Sequence, residues 1–474
     1  MPIRKETSPG AVLATVCVAQ FMVPLMLTAV GVALPSIGKD FSASAVQLGL
    51  VEQLYTLSLA MSMLAFGRLG DLVGRVRVFL TGLVLFTVMT TSLGFVESMP
   101  MLLIQRFFQG IGASILLSGS MALVASAYPA AVRGRKIGIV SAFTYSGLSS
   151  GPVLGGFITS HMGWRYIFLL VVPFGISACL LCLTRMRSEW KVGGNERMDW
   201  RGSLIYAIGT ALVMLGASHV GDGFGVWMIL AGLLLLVFFG LYETRIPNPL
   251  LDISMLFTNR FFTLSCFAAM GSYAATFGVT FFMSLYLQYA MGLSPRTAGF
   301  VLLLQPLMQM TISPMVGRLA DRTAPVRLAN IGIAAICLAL LGIAASVGMH
   351  APLPLLAAEL ILIGIGFGIF ITPNTVTIMG SVEVHQYGTA SGMIGTMRTL
   401  GMVTSMTTIT LVFSLLMGGQ PVTKATLPSF VSSMQIGLSA FAAFSCVGVL
   451  LSLGRGRQQK RVQSACPCRP EPQN

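Results

Sequence analysis

The sequence predicts an all-α membrane protein with fourteen spanning helices, on three observations. Of the 474 residues, 55% are apolar and only 9% charged, against roughly a quarter charged in an ordinary soluble domain. Charge-free runs recur along the chain, among them Thr7 to Gly38, Phe107 to Val132 and Leu328 to Ala358, each long enough to cross about 30 Å of hydrocarbon at about 1.5 Å per residue. The runs lack the period-two alternation of barrel strands, and only helices and closed barrels satisfy every backbone group in lipid.

The first apolar run follows Met1-Pro2-Ile3-Arg4-Lys5. It exceeds the roughly 7 to 15 residues of a signal-peptide core and lacks a small-residue cleavage site, so it reads as a retained first helix. The predicted spans are 11–36, 46–67, 78–96, 100–125, 137–160, 164–184, 202–220, 224–242, 262–290, 297–317, 328–348, 353–379, 387–416 and 428–454. An even number puts both termini on one side. Of the 29 Lys and Arg, 23 fall in loops on that side, four on the other (Lys39, Arg165, Arg296, Lys424) and two inside spans (Arg106, Arg398). By the positive-inside rule both termini are expected in the cytoplasm. The formal charge of +14 is thereby explained by orientation, and nucleic acid is not expected as a partner.

An internal repeat gives the domain plan. Gly67-Arg68-Leu69-Gly70-Asp71 returns as Gly317-Arg318-Leu319-Ala320-Asp321 at an offset of 250, and Gly110-Ile111-Gly112 as Gly364-Ile365-Gly366 at 254. The first six spans therefore match the last six. The expected divisions are 1–184 as one six-helix bundle, 185–260 as two inserted helices with their linkers, 261–454 as the second bundle and 455–474 as a cytoplasmic tail. Parallel halves of this kind suit a transporter with its substrate site near the bilayer midplane.

Three ordered motifs carry a resemblance. The loop Gly67-Arg68-Leu69-Gly70-Asp71-Leu72-Val73-Gly74-Arg75-Val76-Arg77 joins the second and third spans, Arg106-Phe107-Phe108-Gln109-Gly110-Ile111-Gly112 lies in the fourth, and Gly147-Leu148-Ser149-Ser150-Gly151-Pro152-Val153-Leu154-Gly155-Gly156 in the fifth. With these the chain resembles the major facilitator superfamily, in its fourteen-helix drug:proton antiporter branch, over nearly its whole length. Trp164-Arg165-Tyr166-Ile167-Phe168, Asp199-Trp200 and Gln288 with Gly292-Leu293-Ser294 fit that branch as well. The resemblance implies two six-helix bundles plus two inserted helices, and exchange of a small amphiphilic drug or metabolite for protons. It also implies a gate in which Gly67, Asp71, Gly74 and Arg75, repeated at Asp321, engage the other half near Tyr387-Gly388, and a seam at Gly147, Gly151, Pro152, Gly155 and Gly156 that seals or hinges. One departure stands out: the branch usually carries an acid and an Asn in its first helix, where this chain has Met26 and Gly31.

Charged residues inside spans are costly and so are functional candidates. Glu52 and Arg106 each lie about six residues from the outer end of their helices, roughly 9 Å deep, so a pair between them is open to two readings. It is either a static ion pair or a proton site in which Arg106 holds Glu52 ionised in one state and releases it in another. Glu359 is the rival proton site, or a carboxylate near the outer interface. Arg398, near mid-membrane, either attracts a substrate anion or binds backbone carbonyls. Met26, Tyr55, Phe143, Gln288 and Met393 are expected, from span position and the resemblance, to line a cavity.

Other chemistries find no support. Gly147, Gly151 and Gly155 share one helix face, which also reads as plain packing, and Gly-x-Ser-x-Gly around Ser149 lacks the strand-turn-helix setting of a nucleophile elbow. There is no Gly-x-x-x-x-Gly-Lys-Ser/Thr loop for nucleotide phosphates. His161, His219, His350 and His385 have no ligand spacing, so no metal is expected. Cys466 and Cys468 in the tail read as a flexible end or a metal or modification site. The chain is expected not to be an enzyme and to need no cofactor beyond a proton gradient. Its expected partners are a small amphiphilic substrate, protons and the lipid bilayer, with no obligate protein partner. A specific exporter or uniporter without proton coupling is the alternative, and a non-transporting sensor a remote one.

Overall fold

The computed structural model describes residues 7–465 apart from 191–197, 221–222, 248, 252, 321–322, 324, 349–350, 383–386, 419 and 424. Fourteen of the described helices are long and apolar enough to cross a membrane. They are α1 (Pro9–Phe41), α2 (Ala45–Val73), α3 (Arg75–Leu93), α4 (Met99–Ala127), α5 (Ala130–His161), α6 (Arg165–Arg185), α7 (Trp200–Ser218) and α8 (Phe224–Glu243), then α10 (Arg260–Leu285), α11 (Pro295–Ala320), α12 (Pro325–Ser346), α13 (Leu353–Gly380), α14 (Tyr387–Leu416) and α15 (Leu427–Ala465). A one-turn helix, α9 (Ser254–Thr258), precedes α10. No strand occurs among the described residues.

Local chemistry sets several boundaries. α2 opens on a capping box: Ser44 Oγ accepts from the Gln47 amide at 3.2 Å and Gln47 Oε1 accepts from the Ser44 amide at 3.0 Å, satisfying two donors the helix leaves free. Between α2 and α3 the chain turns at Gly74, φ 140°, a conformation that a Cβ disfavours. The Glu189 carboxylate packs against that glycine and accepts the Val76 and Arg77 amides at 2.8 and 3.3 Å, a carboxylate cap on the N-terminus of α3. α1 runs on through Pro24 and Pro35 to Phe41, past its predicted end at 36; Ile37 and Gly38 are buried, Gly38 between Leu48 and the Tyr289 hydroxyl of the second half. α10 closes in a π-turn at Tyr286–Ala290.

Packing repeats between the halves. In the first, α1 packs on α5 and α6, α2 and α3 on α4, and α3 on α6; in the second, α10 packs on α14 and α15, α11 and α12 on α13, and α12 on α15. These are the same contacts transposed onto the repeat read from the sequence. The halves meet along α1 with α10, α2 with α14 and α5 with α11. α7 and α8 pair with each other, and α7 leans on both α2 and α14. The face from which α1 enters and α15 leaves is called the entry face below, and the other the far face.

Candidate functional site

A cavity of about 1280 Å³ lies between the halves. Its wall runs from Gly31, Glu52 and Phe281 at mid-depth to Asp71, Arg75, Met379, Leu250 and Leu251 at the entry face. The wall is mostly apolar with fewer polar side chains, as expected of a site that binds an amphiphile by area and orients it by a few polar atoms. Gly31, at the family's Asn position, lines the cavity, and a Cβ there would meet nothing within 4 Å. Arg398 of α14 shares the wall with Tyr145 and Tyr273. It is half-buried and has no hydrogen-bond or ion-pair partner among the described residues.

Glu52 and Arg106 are brought together deep in the first half. Arg106 Nη2 lies 3.2 Å from Glu52 Oε2, and both side chains are buried. Arg106 also donates to Val51 O at 3.2 Å and to Gln109 Oε1 at 2.8 Å, and sits 4.2 Å from the Tyr55 ring centre. Gln109 in turn donates to Thr90 Oγ1 at 2.8 Å. The arginine is thus held by three separate groups besides the acid. Glu52 Oε1, by contrast, is buried without a partner, and Glu52 is the member of the pair that lines the cavity.

Two residues of the loop motif, Asp71 and Arg75, bond within their own half. Arg75 pairs with Asp71 at 2.7 Å and donates to Ala122 O at 3.1 Å and Ser126 Oγ at 2.6 Å on α4. Residues 383–386 and the side chains that open α14 lie outside the described residues, and the expected engagement of Asp71 there falls with them. Gly67 and Gly70 lie on the entry-side wall. Asp321, the repeat of Asp71, lies outside the described residues, as do Cys466 and Cys468.

The glycines of α5 divide into two sets. A Cβ on Gly147, Gly151 or Gly155 would strike α1: the Phe21 carbonyl, the Thr28 hydroxyl, and the Ala29 carbonyl at 2.7 Å with Ala29 Cα at 2.9 Å. A Cβ on Gly156 would strike the Pro295 carbonyl and Arg296 Cα (3.2 Å) in the other half, and one on Gly299 would strike the Pro152 carbonyl. The first set closes a seam inside one bundle and the second a seam between bundles. Gly155→Ala is accordingly expected to lower stability by about 1–3 kcal/mol through overpacking. Gly156→Ala, whose Cβ meets the backbone of the other half, is expected to cost stability as well and, unlike Gly155→Ala, to raise far-face accessibility of the cavity. Melting curves and labelling by a membrane-impermeant reagent check the two together.

The far face is sealed by hydrogen bonds from the second half to α1. Ser284 Oγ donates to Gly31 O at 2.7 Å, Gln288 Nε2 to Val32 O at 2.9 Å and the Tyr289 hydroxyl to Pro35 O at 3.2 Å. A second tie joins three helices: Thr410 Oγ1 donates to Gln53 Oε1 at 2.8 Å and Gln53 Nε2 to Met214 O of α7 at 2.6 Å. The cavity is closed at the far face and reaches the entry face.

Several expected cavity residues lie elsewhere. Met26 and Tyr55 are fully buried between helices of the first half, Tyr55 as the surface on which Arg106 stacks. Met393 belongs to an apolar cluster with Leu251, Phe262 and Ile378. Phe143 is exposed on the outside of α5, and Gln288 is spent on the far-face seal. All five sit at suitable depths, but a helix turns about 100° per residue, and depth does not fix the face. Glu359 is buried between α12 and α13, accepting from Ser346 Oγ at 3.1 Å, and is not on the cavity wall. Nothing in the sequence marks Gln53 or the residues Pro247, Pro249, Leu250 and Leu251, which are connecting chain by sequence and form cavity wall only in the fold.

A cavity between two repeated helical bundles, closed at one face, is the architecture of a secondary transporter. The family profile described as Major Facilitator Superfamily matches residues 16–406. The "Riboflavin transporter RibZ" of Clostridioides difficile (strain 630) is 31% identical over 389 residues, 82% of this chain and 85% of its own. The "Multidrug resistance protein Stp" of Mycobacterium tuberculosis (strain CDC 1551 / Oshkosh) is 30% identical over 392 residues, 80% of this chain and 71% of its own. Among solved structures, a bacterial homologue of the human lysosomal transporter Spinster, inward-facing and occupied, superimposes with a TM-score of 0.64 at 15% identity, covering 94% of this chain and 97% of that one; this likeness shows the fold. The chain belongs to the Major Facilitator Superfamily, a family of membrane transporters and not of enzymes.

Proposed function

We propose that the protein exports small amphiphilic molecules carrying an anionic group in exchange for protons, by alternating access of the central cavity. The observation that carries this reading is the Arg398 guanidinium, without a hydrogen-bond or ion-pair partner among the described residues, on the wall of a cavity whose other deep charge, Glu52, is already matched by Arg106. A planar cation with five donors in a low-dielectric site favours a carboxylate or phosphate over a cationic drug. Glu52 is the proton carrier, its free Oε1 being the atom that a proton occupies. The excess of Lys and Arg at the entry face supports a cytoplasmic entry face. With the far face sealed, the cavity then opens to the cytoplasm, and a relative named for multidrug resistance supports export.

Uniport without proton coupling is the second reading. It is favoured by Met26, which leaves α1 without the family's acid and is buried away from the cavity. The test uses sealed liposomes with an imposed pH gradient and size-matched anionic, neutral and cationic amphiphiles. Exchange for protons drives an anionic substrate into the acidic compartment, opposite to the passive trapping of a weak acid on the alkaline side. Movement that only follows the substrate's own gradient would favour uniport.

A further inference from the structure

The inserted helices carry a pair of carboxyl groups that the central site does not use. Asp199 caps α7: its Oδ1 accepts from the Gly202 amide at 3.0 Å and from the Tyr242 hydroxyl at 3.3 Å. Glu243 ends α8 and is 2% exposed, and its Oε2 accepts from the Leu251 amide at 3.1 Å. The second oxygen of each, Asp199 Oδ2 and Glu243 Oε1, is buried and without a hydrogen-bond partner among the described residues. Both are turned to the same point above Gly202, where a Cβ would collide with each of them. Two carboxylate oxygens facing one another with no N–H or O–H between them repel when both are ionised. A single proton shared between them converts the repulsion into a hydrogen bond.

We propose that Asp199 and Glu243 form a second proton-binding site, and that the proton they share keeps the chain around Leu251 docked on the cavity wall. Leu251 lines the cavity, and its side chain packs with Met255, Phe262, Ile378 and Met393, so its amide bond to Glu243 links the inserted helices to the second half. Among the described residues, the charged and titratable groups around the pair are Tyr242 of α8, which donates to Asp199, and Arg201 in the first turn of α7, whose charge acts on Tyr242. The loop presents backbone amides to Glu243, and α9, α10, α13 and α14 present the apolar cluster around Leu251. α2 and α14 bond to α7 at Met214 and Ser218, toward the far face. Loss of the shared proton leaves two adjacent negative charges, and the relief is for Glu243 to swing away and release Leu251. The inference does not depend on the substrate assigned to the cavity.

The test is amide hydrogen exchange at Leu250 and Leu251, in the full chain in lipid nanodiscs, divided by the intrinsic exchange rate at each pH between about 5 and 9. Protection in wild type is expected to fall by about tenfold or more as pH rises through the titration of the pair. Asp199→Asn and Glu243→Gln each place an amide N–H where the proton sits, and each is expected to hold protection level across the range. The wild-type profile stands alone should either variant fail to fold. Wild-type protection independent of pH would overturn the proposal. So would an Asp199→Asn profile that falls in parallel with wild type, or restoration of protection at high pH by sodium, which would make the site a metal-cation site.

Discussion

Arg106→Ala is expected to destabilise the protein by about 3–5 kcal/mol, the cost of breaking a buried ion pair by removing one partner. The arginine is fully buried and holds together four groups: Glu52, the Val51 carbonyl, Gln109 and the Tyr55 ring. Its removal leaves Gln109 Oε1 and the Glu52 carboxylate without their donor and opens a void beneath Tyr55. Glu52→Gln is expected to cost less, because Arg106 keeps its three other partners and the glutamine oxygen still accepts from Nη2. The double substitution Glu52→Gln with Arg106→Gln removes both charges and is expected to recover part of the loss seen in Arg106→Ala. Thermal unfolding followed by tryptophan fluorescence measures the series. An Arg106→Ala protein as stable as wild type would mean that the pair is not formed.

Arg398→Ala is expected to weaken binding of an anionic substrate by at least about tenfold, corresponding to the roughly 1.5–3 kcal/mol of a hydrogen bond to a charged group, while a cationic analogue of the same size binds equally or better. Arg398→Lys keeps the charge and loses the planar fork, so it is expected to fall between the two. Arg398 has no hydrogen-bond or ion-pair partner among the described residues, so stability is expected to stay near wild type, and the effect is read as a Kd ratio across the substrate series. Equal losses for anionic and cationic substrates would reduce Arg398 to a steric part of the wall.

The spans were legible because lipid imposes a length and a polarity that few other environments do, and one arm of the repeat was legible because Gly110 and Gly112, like Gly364 and Gly366, face neighbouring backbone too closely for a Cβ. Equal depth in two helices of one half made a Glu52 and Arg106 pair possible, without showing which faces the two residues occupy. Rotational phase was not legible. Met26, Tyr55 and Met393 look inward from their span positions, yet they are consumed by packing, since in a chain this apolar every helix face reads alike. Gln288 was recognisable as a polar residue near a span end, but its role depends on the carbonyls of α1, a helix more than 250 positions away. Glu243 was passed over as the polar end of a span. Only the approach of Asp199 and the return of the loop to Leu251 give it chemistry.

The central claim is that Glu52 carries the proton exchanged for substrate through this cavity. Proton flux triggered by an anionic amphiphile, recorded with a trapped pH dye in liposomes holding wild type or Glu52→Gln at matched protein content, tests it most directly. The account predicts substrate-driven proton flux in wild type and its loss in Glu52→Gln, with substrate still bound by both. Undiminished flux in Glu52→Gln would contradict it.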